Sequence, residues 1–222
     1  MELKNYEREL KYLLSEDIEL SYEEILDVFQ SYNYTMLETK RKKKHEVYYD
    51  DRLFSIIRNG DVIRASTHFN KDSTYFHFMY KKNVSKMDKP YLSKYEFGSG
   101  KFKSVNEFVS ALNLSDIANQ LSPVLYADMI RETAIFEMDN YKFLVSFDEV
   151  RYYKQNSVQV CEKMLEVEDW TTPYSTVAEN DNNDVHLLFI NKLLLDELPI
   201  QLTKNSKPYR GLLLLGERGF QK

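Results

Sequence analysis

The chain has 222 residues, 43% of them hydrophobic and 29% charged, and a net charge of −5 at pH 7. It is long enough to bury a sizeable core, has no run of roughly 18 apolar residues to cross a membrane as a helix, and carries no net positive charge for a nonspecific grip on nucleic acid. Cys161 is the one cysteine and His45, His68, His77 and His186 are scattered, which excludes an internal disulfide and a local zinc motif.

Any metal would then be held by carboxylates, which favours magnesium or manganese. The N-terminal MELKNYEREL is charged from its second residue and lacks the apolar centre of a signal peptide. The expected location is the cytoplasm.

The first element is a strand over about residues 5 to 13. Its YERELKY alternates Glu7, Glu9 and Lys11 on one face with Tyr6, Arg8, Leu10 and Tyr12 on the other. On an open sheet the charged face would simply meet water. SYEEILDVF follows as a helix, with Ser21 and Glu24 as its capping box. The basic run KRKKKH, 40 to 45, reads as a solvated turn or strand rim.

HEVYYDD, RLFSIIR, DVIRAST and TYFHFMYKK then read as strands. The Asn59-Gly60 pair predicts a hairpin between the second and third. That register sets Arg58 opposite Asp61, Ile57 opposite Val62 and Ser55 opposite Arg64, which leaves Arg58 and Arg64 on opposite faces.

YLSKYEF is a further strand, and SVNEFVSAL a helix begun by Ser104 and Glu107. LSDIANQL continues the helical layer until Pro123 ends it. GSGKF is not a phosphate loop, because Tyr95 and Phe102 stand where a Walker A motif needs glycine and Ser or Thr. Three strands follow: LYADMIRETAIFEM, YKFLVSFDEVRYY and QVCEKMLEVEDW, with an Asp139-Asn140 turn between the first two. TPYSTVAENDNND is a loop, VHLLFINKLLLDEL a helix, and SKPYRGLLLLG a short closing helix. Neither a repeat nor a domain boundary interrupts this order, so residues 1 to 222 are expected to form a single domain.

Roughly eight strands joined by short turns, with helices between them, predict an α+β fold: a closed eight-stranded antiparallel β-barrel with flanking helices. Closure changes the meaning of the first strand, because an alternating strand in a barrel places one face inside. MLEVED repeats the alternation with Glu166 and Glu168. Converging carboxylates repel unless cations neutralise them. Lys11, Arg64, Lys81 and Arg131 are candidate inward bases, and a cage with acidic and basic walls suits a polyphosphate whose bridging ions the carboxylates hold.

In chain order, the motifs are the ExExK strand (Glu7, Glu9, Lys11), VIRAS (Arg64), FMYK (Lys81), SKYEF (Lys94, Glu96) and MIRETA (Arg131). SFDEV (Asp148), LEVE (Glu166, Glu168) and the terminal NSKPYRGLLLLG (Ser206, Lys207, Tyr209) complete the set. This set resembles the CYTH, or triphosphate tunnel metalloenzyme, superfamily. That superfamily includes thiamine triphosphatases, inorganic tripolyphosphatases, class IV adenylyl cyclases and, more distantly, fungal-type RNA triphosphatases. Three features depart from its pattern: Ser66 replaces a second arginine, Gly98 replaces a second mid-chain glutamate, and YYKQNSVQ lengthens the segment between Asp148 and Glu166.

The resemblance implies a triphosphate tunnel and a magnesium- or manganese-dependent hydrolase of inorganic tripolyphosphate or of a nucleoside or organic triphosphate. It implies Glu7, Glu9, Lys11, Glu166 and Glu168 as catalytic residues, with Glu166 or Glu168 as the general base. Lys11, Arg64, Lys81, Arg131 and Lys207 would bind phosphate, and Glu7, Glu9, Asp148, Glu166 and Glu168 would bind metal, with Lys94 and Glu96 as further candidates. The expected partner is a triphosphate-containing small molecule, with 5′-triphosphate RNA less favoured and no membrane. Cyclisation of ATP, or noncatalytic sensing of a polyphosphate or nucleotide, are the alternative functions; Ser66 and Gly98 motivate the sensor.

Overall fold

The structure is a computed structural model that describes residues 5–14, 19–69, 74–85, 88–155, 158–170 and 181–220, without the side chains of 5 and 181–183. Its strands are β1 (Asn5–Leu14), β2 (Thr35–Asp50), β3 (Val62–Phe69), β4 (Thr74–Asn83), β5 (Leu92–Ser99), β6 (Ser122–Met138), β7 (Tyr141–Tyr153), β8 (Val160–Asp169) and β9 (Ile200–Leu202). Its helices are α1 (Tyr22–Ser31), α2 (Ser55–Arg58), α3 (Val105–Ala111), α4 (Ser115–Ala118), α5 (Asp181–Glu197) and α6 (Lys207–Leu214).

The strands run in the order β5-β4-β3-β2-β6-β7-β8-β1, and β1 pairs back onto β5. The result is the expected closed eight-stranded antiparallel barrel with helices around it. β1 makes closure by dividing one edge between two partners: Asn5–Glu9 pair with β5, whereas Tyr12–Leu14 pair with β9, an outer strand that the sequence reading did not anticipate.

Helices cover much of the outer wall. Outside the barrel, α1 and α5 cover β1, β6, β7 and β8 through Leu10, Tyr12, Phe29, Phe136, Phe143 and Leu194. On the other flank, α3 and α4 cover β3 and β4 through Ile63, Ala65, Phe78 and Phe108. This settles the outer face of β1. Tyr12 donates to Asn191 on α5 at 3.0 Å, and Arg8, only 3% exposed, donates to Asp184 at 2.6 Å and to Asp169. Among the described residues, no helix is long and apolar enough to cross a membrane.

The capping box of α1 forms as expected, whereas at α3 Ser104 caps Glu107 but the Glu107 carboxylate accepts from the Lys103 amide instead. The Asp139-Asn140 turn also forms, with positive φ at both residues.

The Asn59-Gly60 hairpin does not form. RLFSIIR contains the helical turn α2 instead of a strand, because the Asp50 carboxylate accepts the amides of Ile56 and Ile57, and the Asp51 carboxylate accepts those of Leu53 and Ser55. Asn59-Gly60 ends that turn: Gly60 takes φ +81, its amide bonds Ile57, and the Asp61 amide bonds Ile56, the pattern of a Schellman cap. The registers proposed for Arg58, Ile57 and Ser55 are therefore absent. Arg64 nonetheless points inward and Arg58 outward, over the Phe220 ring.

The basic run is strand and not turn, with Lys40, Arg41 and Lys43 exposed as expected of a solvated strand and Lys42 and Lys44 half-buried. It lies within β2, a strand of 16 residues paired along its length to β6. Residues 172–180 of the predicted TPYSTVAENDNND loop lie outside the described residues, and its last four residues open α5.

α6 lies across one end of the barrel. Its Leu212 packs with Tyr48, Leu125 and Tyr152, and its first residues reach the interior. Gly211 permits that approach, since a Cβ there would lie 2.6 Å from the Tyr152 ring and 2.7 Å from Leu125. Gly211→Ala should therefore destabilise by about 1–3 kcal/mol despite its better helix propensity. Urea unfolding would check this; an unchanged midpoint would mean that α6 shifts freely.

Candidate functional site

Alternation and register bring the charged residues together. On the inner face of the barrel Glu9 lies opposite Glu168, Lys11 opposite Glu166, Arg131 opposite Asp148, and Lys81 opposite Glu96. Lys11 Nζ sits 3.0 Å from both Glu9 and Glu166. Lys94 donates to Glu9 at 2.5 Å, and Lys81 lies 2.5 Å from both Glu7 and Glu96.

Arg131 holds Asp148 with two nitrogens, at 2.6 and 2.5 Å, and reaches Glu166 at 2.6 Å. Lys207, delivered by the start of α6, lies 3.0 Å from Asp148 and pairs with Glu166. Ser206 caps α6 and Pro208 follows it, which fixes Lys207 between them. The interior cavity among these side chains is about 60 Å³, room for roughly two waters. A larger hollow of about 1100 Å³ is lined by Lys43, Lys44, Asp128, Met129, Arg151 and Cys161.

The interior has two electrostatic halves. Where cations surround carboxylates, burial opposes ionisation but loses: Lys11 and Lys94 hold Glu9 well below its ordinary range, Lys11, Lys207 and Arg131 do so for Glu166, and Arg131 and Lys207 lower Asp148. Where carboxylates face one another, the balance reverses. Burial and then Glu96 push Glu7 well up, and burial with Glu96 and Glu9 raises Glu168 to about 7. Burial also opposes ionising Glu96, but Lys81 and a hydrogen bond from Glu7 bring it to about 2.

Glu168 thus destabilises the metal-free fold at neutral pH. Its folded pKa of about 7 lies above an unfolded value of about 4.3, so the folded state holds the extra proton and stability falls as pH rises between those values. Glu168→Gln should be more stable than wild type near pH ~8 in chelator and no different near pH ~4. Urea titrations at the two pH values would show it; parallel curves would place Glu168 in water.

Glu46 and Lys44 were missed. Glu46 is fully buried, 3.0 Å from Arg64, accepts from Tyr48 at 2.5 Å, and lies 3.4 Å from the Ser66 hydroxyl. Ser66, where the pattern expects arginine, therefore completes the Glu46 pocket. Gly98 faces Met79, whose sulfur contacts Arg64 at 3.4 Å. The signal was available: Lys42, Lys44, Glu46 and Tyr48 share one face of β2 once the basic run is taken as strand.

No family model and no curated protein matches the sequence. Solved structures do match in shape. The PH1819 protein from Pyrococcus horikoshii OT3 superposes with a TM-score of 0.56 at 15% identity, over 95% of this chain and 99% of that one. HpAC1 from Hippeastrum, described as revealing a dominant triphosphatase activity, superposes with a TM-score of 0.55 at 12% identity, over 95% and 96%. This chain shares the barrel fold of these two proteins. The bases and carboxylates just placed line the interior of that barrel, on β1, β3 to β8 and α6.

Proposed function

We propose that this chain hydrolyses a triphosphate with the help of a divalent metal, releasing phosphate from inorganic tripolyphosphate or from a nucleoside or organic triphosphate. The observation that carries the reading is the set of ion pairs inside the tunnel. Lys11, Arg64, Lys81, Arg131 and Lys207 come from five different elements, and each is aimed inward at a carboxylate. Phosphate oxygens exchange for carboxylate oxygens on the same donors, and charge-assisted bonds of this kind strengthen as charge develops on the phosphoryl group.

The donor chemistry suits a hard cation. Glu7 and Glu168 are both raised in part by neighbouring negative charge, which magnesium or manganese would relieve. Among the described residues, no three acidic or histidine side chains converge closely enough to hold an ion unaided, so substrate oxygens would share its coordination. When bound, the ion supplies charge neutralisation at the phosphates and orientation of water.

Glu7 and Glu9 would hold it. Asp148 and Glu166, also expected as ligands, orient Arg131 and Lys207. Glu168, across the ladder from Glu9, is the base that takes the proton of the attacking water. HpAC1's dominant triphosphatase activity makes hydrolysis the first reaction to assay, ahead of cyclisation.

The test is phosphate release from tripolyphosphate, ATP, GTP, thiamine triphosphate and 5′-triphosphate RNA, each with magnesium or manganese. Turnover that a chelator abolishes supports the hydrolase. Saturable binding with no turnover of any compound ends it and leaves a sensor. Within the hydrolase, Glu7→Gln together with Glu9→Gln should weaken manganese binding at least tenfold in calorimetry; equal affinity would remove both from the metal site.

A further inference from the structure

Lys11, Lys81, Lys94, Arg64, Arg131 and Lys207 all have carboxylate partners inside the barrel. Lys42 and Lys44 differ. They lie across from Arg131 and Met129 on the inner face of β2, and Lys44 lies across from His68 on β3. The carboxylates that act on Lys44 are Glu46 and Asp148. Both are already committed, Glu46 to Arg64 and Tyr48, Asp148 to Arg131 and Lys207.

Burial, and then the charge of Arg131, bring Lys44 down to about 7. A half-buried ammonium beside two arginines is costly, and an anion is what would relieve it.

A second observation stands at the same place. His68 is 7% exposed, and neither of its ring nitrogens has a hydrogen-bond partner. Its ring stacks on Tyr75 at 4.3 Å and 7°, and on His77 at 5.0 Å. A buried imidazole without partners is an unspent donor, uncommon in a finished core. Along β2 and β3, Lys44 and His68 sit one inward position beyond Glu46 and Ser66, toward the end of the barrel away from α6.

We propose that Lys42, Lys44 and His68 form an anion subsite that takes a phosphoryl group beyond the three held deeper in the tunnel. The ligand is then a linear chain of four or more phosphates, uncapped or carried on a nucleoside. This rests on the triphosphate reading above.

Calorimetry on metal-free protein tests it, with inorganic tripolyphosphate against tetrapolyphosphate and ATP against adenosine 5′-tetraphosphate. The fourth phosphate should tighten binding about tenfold or more. Lys44→Met and Lys42→Met should bring the ratio near one, Lys44→Arg should keep it, and His68→Phe, which preserves the stack, should lose part of it. Lys44→Met should also melt higher than wild type, since it removes an unpaired charge, so loss of the ratio cannot be ascribed to unfolding. A gain in the inorganic series alone assigns the subsite to uncapped chains; a gain in both assigns it to phosphate itself. Equal binding of tri- and tetraphosphates by wild type, or a ratio that survives Lys44→Met and Lys42→Met, overturns the subsite. Failure to bind any of the four compounds, both without metal and in a parallel titration with magnesium, overturns the triphosphate reading instead.

Discussion

Lys11→Met should slow phosphate release on the order of 100- to 1000-fold without unfolding the protein. Lys11 lies 3.0 Å from Glu9 and Glu166, between the two electrostatic halves of the tunnel, where a phosphoryl oxygen would replace either carboxylate. The fold tolerates its loss because both partners keep other cations: Lys94 for Glu9, Arg131 and Lys207 for Glu166. Added metal should not rescue this variant, since on the proposed reading Lys11 would contact phosphate and not metal. Glu9→Gln should recover part of its activity as manganese rises. Equal rescue of both variants, or a rate within severalfold of wild type for Lys11→Met at an unchanged melting temperature, would remove Lys11 from the phosphate path.

Arg131→Met carries the largest expected effect on stability. Asp148 is completely buried and takes two bonds from Arg131, and Glu166 takes a third. Breaking a buried ion pair from one side costs about 3–5 kcal/mol, because the remaining charge is stranded, which at this chain length lowers the melting temperature by roughly 10 °C. Lys207 remains 3.0 Å from Asp148 and softens the loss. Adding Asp148→Leu to Arg131→Met should recover part of it, because an apolar pair leaves less charge unpaired. If the double variant loses the sum of the single losses, the pair is not energetically coupled and the bidentate geometry has been over-read.

Much of this was legible from alternation. β1, β6, β7 and β8 could be read directly, because period-two burial on both faces writes charge inward and aromatics outward. The ExE pairs then had only one way to meet in a closed barrel.

Two things were hidden for physical reasons. The turn α2 is made by the carboxylates of Asp50, the last residue of β2, and of Asp51 just after it, so local composition alone reads RLFSIIR as extended and Asn59-Gly60 as a hairpin. The inner lysines of β2 were hidden by their neighbours: Arg41 and Lys43 face outward in the same run, and a block of like charge looks solvated when half of it is not. Glu46 carries no motif signal, and in the sequence only the alternation of β2, once its basic run is taken as strand, marks it.

The position of α6 makes the tunnel a dead end. On the proposed reading a phosphate chain would enter only tip first, so the barrel would count phosphates from a terminus and would not grip the middle of a polymer. Whatever is split off near the stopper must leave by the corridor through which its parent arrived. Orthophosphate should therefore queue behind the longer product, and it is expected to compete with substrate at the inner bases and not at a separate exit.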